Sequence, residues 1–181
     1  MNFITKIDIN ILNWIAENLR HPLLDKLMLD VTSLGDMGIF WICLLIVFFT
    51  TKEYKQMAKV MFISMIISVI VCNLMLKPIV HRTRPFNINT AIELIAAKPL
   101  DYSFPSGHTM FSFTSVTVIL MMAKSKLLKY FTLAIAILIA LSRMYLYFHY
   151  PTDVLAGFIL GSLISYFTVK YMKNKNLHLF K

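Results

Sequence analysis

Ser142-Arg143-Met144-Tyr145-Leu146-Tyr147-Phe148-His149-Tyr150-Pro151-Thr152-Asp153 closes a long apolar run and opens another. Arg143 lies about five residues inside the first run, roughly 8 Å below the helix end at ~1.5 Å per residue. A guanidinium at that depth of a bilayer costs about 2.5–3.5 kcal/mol on insertion scales, so such a residue points to function. His149 follows, and Asp153 stands four positions after it, across Pro151. A cation, a base or nucleophile, and a carboxylate to orient it are packed into twelve residues.

Working outward, the 181-residue chain is 58% hydrophobic and only 15% charged, with mean hydropathy +0.69. A soluble domain with that balance lacks polar surface to cover itself, so the expected class is an all-α, polytopic membrane helical bundle forming one domain. Five spans are expected, at about 36–51, 56–76, 107–123, 128–148 and 152–172. Residues 1–34 read as an interfacial amphipathic segment: Phe3, Ile4, Ile7, Ile11, Trp14 and Ile15 recur at helical spacing, with Lys6, Asp8, Asn13 and Glu17 opposite. Crossing of the bilayer by that segment would make six spans. Its polar residues and lack of a small-residue cleavage site argue against a signal peptide. Residues 36–172 form the bundle, and 173–181 a basic cytoplasmic tail. The stretch 77–105 carries four prolines and reads as a polar loop, with His81 and Arg82 solvated in it. Cys43 and Cys72 read as buried thiols, and His21 and His178 as structural or tail residues.

The formal charge is +9. Ten lysines against one acid, Glu53, fall in one set of connections, while eight cations and eight acids fall on the other side. The excess is therefore positive-inside charge, and no nucleic-acid partner is needed to explain it. The N-terminal helix, the 77–105 loop and the Tyr147–Thr152 turn are placed outside the cytoplasm. Abundant Ile, Lys and Asn suggest a bacterial source. All four arginines lie on the outer side, where a planar fork suits an oxyanion.

Three segments converge there: Lys77 with Arg84-Pro85, Pro105-Ser106-Gly107-His108, and the opening stretch. Lys77, Arg84 and Arg143 around one volume would repel one another without an anion between them. Ser106 is a good N-cap and Gly107 allows close backbone approach, so the third span offers a helix N-terminus, itself an anion site. Singly, each feature has a structural explanation: a snorkelling Lys77, an ordinary loop, a helix-start signal, dipole compensation by Asp153. Together they describe a phosphoryl site with two histidines. His149, oriented by Asp153, is the better nucleophile, and His108 is then the proton donor and later the base that activates water.

Lys77-x6-Arg84-Pro85, Pro105-Ser106-Gly107-His108 and Ser142-Arg143-x5-His149-x3-Asp153 resemble the three-part signature of the type 2 phosphatidic acid phosphatase superfamily, across about Lys77–Asp153. The resemblance implies a metal-independent phosphatase with no cofactor on an α-helical bundle. It also implies Lys77, Arg84, Ser106, Gly107 and Arg143 as phosphate ligands, with His108, His149 and Asp153 as catalytic residues. The implied partner is a membrane lipid substrate, undecaprenyl diphosphate foremost, with phosphatidate or phosphatidylglycerophosphate as alternatives. The implied location is the bacterial cell membrane with the site outside the cytoplasm. Membrane members usually have six spans, and the departure here lies before Asp36. A small transporter would instead line a path through the bilayer with its charges, and a metal hydrolase would not surround its ion with three cations.

Overall fold

The chain forms helices wherever its apolar runs are unbroken by Pro, Gly or polar clusters. The computed structural model describes residues 3–175, so 176–181, with His178 and the end of the expected basic tail, lie outside the described residues. Among the described residues there is no strand. The helices are α1 (Phe3–Asn18), α2 (Pro22–Ser33), α3 (Ile39–Thr50), α4 (Lys55–Val69), α5 (Lys77–Val80), α6 (Pro85–Ile88), α7 (Gly107–Met122), α8 (Lys126–Tyr145) and α9 (Pro151–Asn174). A π-helical stretch, Ile70–Leu76, joins α4 to α5.

Three helical stretches, Lys55–Ile88, Lys126–Tyr145 and Pro151–Asn174, are long and apolar enough to cross a membrane. A fourth appears if Pro22–Ser33 and Asp36–Thr50, bent by 46°, act as one. The helices fall close to the five expected segments, but α3 with 12 residues and α7 with 16 are short. At ~1.5 Å per residue each falls below the ~30 Å of a hydrocarbon core. The π-helical join also carries the second expected segment one turn further, to Val80.

α7 is the central helix, packed against α4, α8 and α9. Its crossing with α9 rests on small residues. A Cβ on Gly157 would lie 2.8 Å from the Ser106 carbonyl oxygen, and one on Gly161 2.3 Å from that of Met110. Ser165, four residues on, donates to the Thr114 carbonyl at 2.6 Å. Such a small-residue row lets two backbones meet where lipid offers no hydrophobic drive. The Ser106 N–H consequently reaches the Asp153 carbonyl at 3.1 Å, locking the starts of α7 and α9 together.

In α1 one acid of the expected polar face is drawn into the bundle. Asp8, Ile9 and Leu12 are buried, with Ile9 and Leu12 packed in a cluster with Tyr145, Leu146, Tyr147 and Phe148 of the α8–α9 turn. Phe3, Ile4, Ile7, Ile11 and Trp14 face outward. Asp8 is drawn inward because its carboxylate accepts from the Thr152 N–H and hydroxyl and pairs with Arg82. Cys43 is exposed rather than buried, while Cys72 is buried.

Candidate active site

Each motif is delivered by a different local device. The α4–α5 run ends in an αL residue, His81, after which the chain extends to Arg84 and α6. Ser106 caps α7, accepting from the Thr109 N–H at 3.5 Å. The α8–α9 turn passes through Tyr147 at φ 60° and folds back so that the Phe148 N–H meets the Arg143 carbonyl at 3.0 Å. Arg143, Phe148 and His149 are thereby held on one surface.

The devices converge on a cavity of about 370 Å³ lined by Lys77, Arg84, Gly107, His108, Arg143 and His149. Arg84 is buried and donates to the Phe148 carbonyl at 2.8 Å and toward His149 Nε2 at 3.2 Å. Arg143 is also buried. It donates to the Thr32 hydroxyl at 2.5 Å and lies over the Phe148 ring, while its Nε has no hydrogen-bond partner among the described residues. Gly107 opens the space beside Lys77: a Cβ there would lie 3.7 Å from Lys77 Nζ.

His149 Nδ1 lies 2.7 Å from the Ser103 carbonyl oxygen. A carbonyl only accepts, so Nδ1 carries the hydrogen and the Nε2 lone pair is the one that faces Arg84. Burial, aided by the charges of Arg84 and Arg143 and opposed by Asp153, pushes the imidazole down to about 3, which keeps it neutral.

Three sequence expectations need correction. Asp153 does not hold His149 directly: its Oδ2 is 3.7 Å from Nδ1. That oxygen accepts instead from the Ser103 hydroxyl at 2.5 Å and the Tyr150 N–H at 3.1 Å. Ser103, fully buried, thus bridges the pair, its carbonyl on His149 and its hydroxyl on Asp153. Ser106 does not line the cavity; its hydroxyl is committed to the cap and to Thr109 Oγ1 at 2.9 Å. Arg82 is not solvated: it pairs with Asp8 at 2.7 Å and Asp153 at 2.5 Å and lies over the Tyr150 ring.

Asp101, which the spacing of motifs did not single out, pairs with both Lys77 and Arg84. Burial pushes its carboxyl up, but hydrogen bonds and charges from Lys77 and Arg84 outweigh this and bring it to about 2. The chain's own carboxylate therefore stands where three cations would hold an anion. Asp36, likewise missed, places Oδ1 2.8 Å from His108 Nε2.

A second, adjoining cavity of about 500 Å³ shares Lys77, Asp101, Gly107 and His108 and continues past Gly38, Ile42, Val69, Cys72 and Phe111.

Residues 58–177 match the family described as the PAP2 superfamily. The chain belongs to the PAP2 superfamily. It is 31% identical over 147 residues, 81% of this chain and 70% of the relative, to the undecaprenyl-diphosphatase of Sulfolobus acidocaldarius. It is 29% identical over 170 residues, 87% of this chain and 79% of the relative, to phosphatidylglycerophosphatase B of Bacillus subtilis. Its fold matches the crystal structure of a transmembrane PAP2 type phosphatidylglycerolphosphate phosphatase from Bacillus subtilis with TM-score 0.78 at 22% identity, covering 96% of this chain and 88% of that one. A multi-pass membrane fold accords with both the relatives and the apolar helices.

Proposed function

We propose that this PAP2-type phosphatase removes phosphate from a membrane lipid through a phospho-histidine on His149. The substrate favoured is undecaprenyl diphosphate, and the site is read as opening outside the cytoplasm. One observation carries the reading: His149 Nε2 is left unprotonated, with only the Arg84 guanidinium at 3.2 Å to release, in a cavity that also holds Lys77 and Arg143.

The chemistry follows from that arrangement. The phosphoryl oxygens displace the Asp101 carboxylate from Lys77 and Arg84 and take the free Arg143 Nε–H. By helix geometry the first N–H groups of α7, at Gly107 and His108, lack intrahelical partners and add donors. Nε2 attacks phosphorus, forming a P–N bond as the P–O bond breaks. The bond pair goes to the leaving oxygen, which takes a proton from His108. Water then gives a proton back to His108 and attacks phosphorus. The P–N pair returns to Nε2, and inorganic phosphate leaves. Ser103 and Asp153 hold the Nδ1–H tautomer, and Ser106 shapes the helix start. Preorganised donors aimed at developing charge are the main source of the rate enhancement in this scheme.

The adjoining cavity supports a lipid substrate, since its wall of Met37, Ile42, Val69 and Phe111 offers the first carbons of a chain room beside the phosphate. The undecaprenyl lean rests on the relative at 31% identity, and phosphatidylglycerophosphate stands second on the relative at 29%. The lysine asymmetry supports the orientation, with the α8–α9 turn outside. Phosphate release by the detergent-solubilised protein from undecaprenyl diphosphate, phosphatidylglycerophosphate and phosphatidate tests the function. Release is expected, fastest from the diphosphate. No release from any of the three would favour a transporter or binding role.

A further inference from the structure

The family match begins at residue 58, yet two side chains that grip the cavity come from earlier in the chain. Thr32, near the end of α2, accepts from Arg143 at 2.5 Å. Asp36, in the break between α2 and α3, lies 2.8 Å from His108 Nε2. The break itself is unusual. Met37 has φ 50° and Gly38 φ 70°, a left-handed conformation that a residue with a Cβ adopts only against strain. The glycines on either side fit the cavity wall closely. A Cβ on Gly35 would lie 2.6 Å from His108 Cδ2, and one on Gly38 2.3 Å from the Phe111 ring. Gly35-Asp36-Met37-Gly38 is thus shaped around the start of α7, with its one carboxylate on the His108 ring.

We infer that Asp36 is a positioning residue, which fixes the His108 imidazole and balances the charge of its protonated form during proton transfer to the leaving lipid oxygen. This rests on the phosphatase reading above and deepens it. The groups around His108 make the need plain. Lys77 at the end of the α4–α5 run and Arg143 from α8 line the same cavity, as does Arg84 from the extended segment before α6. All three are positive. Asp101, from the 89–106 loop, is held by Lys77 and Arg84. Asp36 is the carboxylate bonded to the ring itself. With Nε2–H directed to Asp36, the other ring nitrogen, Nδ1, is the one that exchanges a proton with substrate. In the first step that proton passes to the oxygen leaving phosphorus, as the P–O pair moves onto it and Nε2 of His149 forms the P–N bond. In the second step Nδ1 takes it back from the attacking water.

A residue acting this way matters most when the leaving oxygen needs a proton. Asp36→Asn, assayed in detergent, is therefore compared on phosphatidate, whose leaving group is an alkoxide, and on p-nitrophenyl phosphate, whose phenoxide leaves without one. General acid catalysis is worth about 10²–10⁴, so loss of its support should lower kcat/KM for phosphatidate roughly 10- to 100-fold. The loss on the aryl ester is expected to be at least about tenfold smaller, and Asp36→Glu should recover part of the phosphatidate rate. Gly35→Ala, which crowds the His108 ring without touching the carboxylate, should give the same substrate-selective loss and serves where Asp36→Asn does not fold. Equal losses on both substrates, or none on either, would overturn the role of Asp36. A wild-type protein inert on both of these and on undecaprenyl diphosphate would instead refute the phosphatase reading.

Discussion

Asp101→Asn isolates the competition that the site builds into itself. The carboxylate bridges Lys77 and Arg84, and an incoming oxyanion has to replace it. Asn keeps the shape and removes the charge. The loop stays docked, because Arg84 Nε donates to the Asp101 backbone carbonyl at 2.8 Å. The Asp101 side chain is 50% exposed, so the two pairs are discounted to the range for solvent-screened bridges, about 0.2–1 kcal/mol each. Together they oppose anion binding by about 0.5–2 kcal/mol, which at ~1.4 kcal/mol per decade is roughly 2- to 30-fold. Vanadate, an inorganic oxyanion that resembles transferring phosphate, should therefore inhibit Asp101→Asn at a concentration lower by that factor. The sign with pH is also set. With a folded-state value of about 2, below the ordinary 3.8, the carboxylate stays charged through mild acid. Its pairing contributes fully above about pH 4 and is lost only as pH falls toward 2, so the wild-type disadvantage should persist at pH 5. Unchanged or weaker vanadate inhibition in the mutant would refute the idea that Asp101 occupies the anion position.

Gly161→Val forces a side chain into the 2.3 Å gap against the Met110 carbonyl, and overpacking of this kind costs about 1–3 kcal/mol or more. The thermal midpoint in detergent should fall sharply, whereas an unchanged midpoint would show that α7 and α9 do not cross there. Asp8→Ala leaves Arg82 with one carboxylate instead of two and frees the Thr152 N–H, and removing one partner of a buried pair costs about 3–5 kcal/mol. Chemical denaturation should register that loss, and a loss under 1 kcal/mol would show that α1 is not anchored through Arg82. His149 is held at about 3, below its ordinary 6.5, so the unfolded chain takes up a proton that the folded one refuses. Its contribution to stability is complete above pH 6.5 and declines as pH falls toward 3, by up to about 1.4 kcal/mol per unit. His149→Gln should flatten that part of the stability–pH curve, and an unaltered curve would show that His149 is not buried neutral.

Much of the site could be read from the sequence because its parts carry local signals. Arg143 stands out as a charge in an apolar run, Pro-Ser-Gly-His marks a helix start, and His149 and Asp153 are four residues apart. The residues that escaped notice act through tertiary contacts with no spacing rule. Asp101, Asp36 and Ser103 are single polar residues in connections, and only folding brings them to Lys77, His108 and His149. Arg82 looked solvated because nothing local foretells that Asp8, 74 positions away, would meet it. The same contact explains why α1 buries its acid and turns its apolar side out. Two further signals stand in the sequence. Gly157-x3-Gly161 marks a close helix crossing, and glycines flanking Asp36 between apolar helices mark a shaped break.

Covalent chemistry at His149 is the central claim. Rapid acid-free quenching of the protein with undecaprenyl diphosphate labelled at its terminal phosphate should trap a base-stable, acid-labile label. The labelled peptide should contain His149, and the His149→Ala protein should carry none. Label persisting in His149→Ala, or turnover without any base-stable label in the wild type, would contradict it.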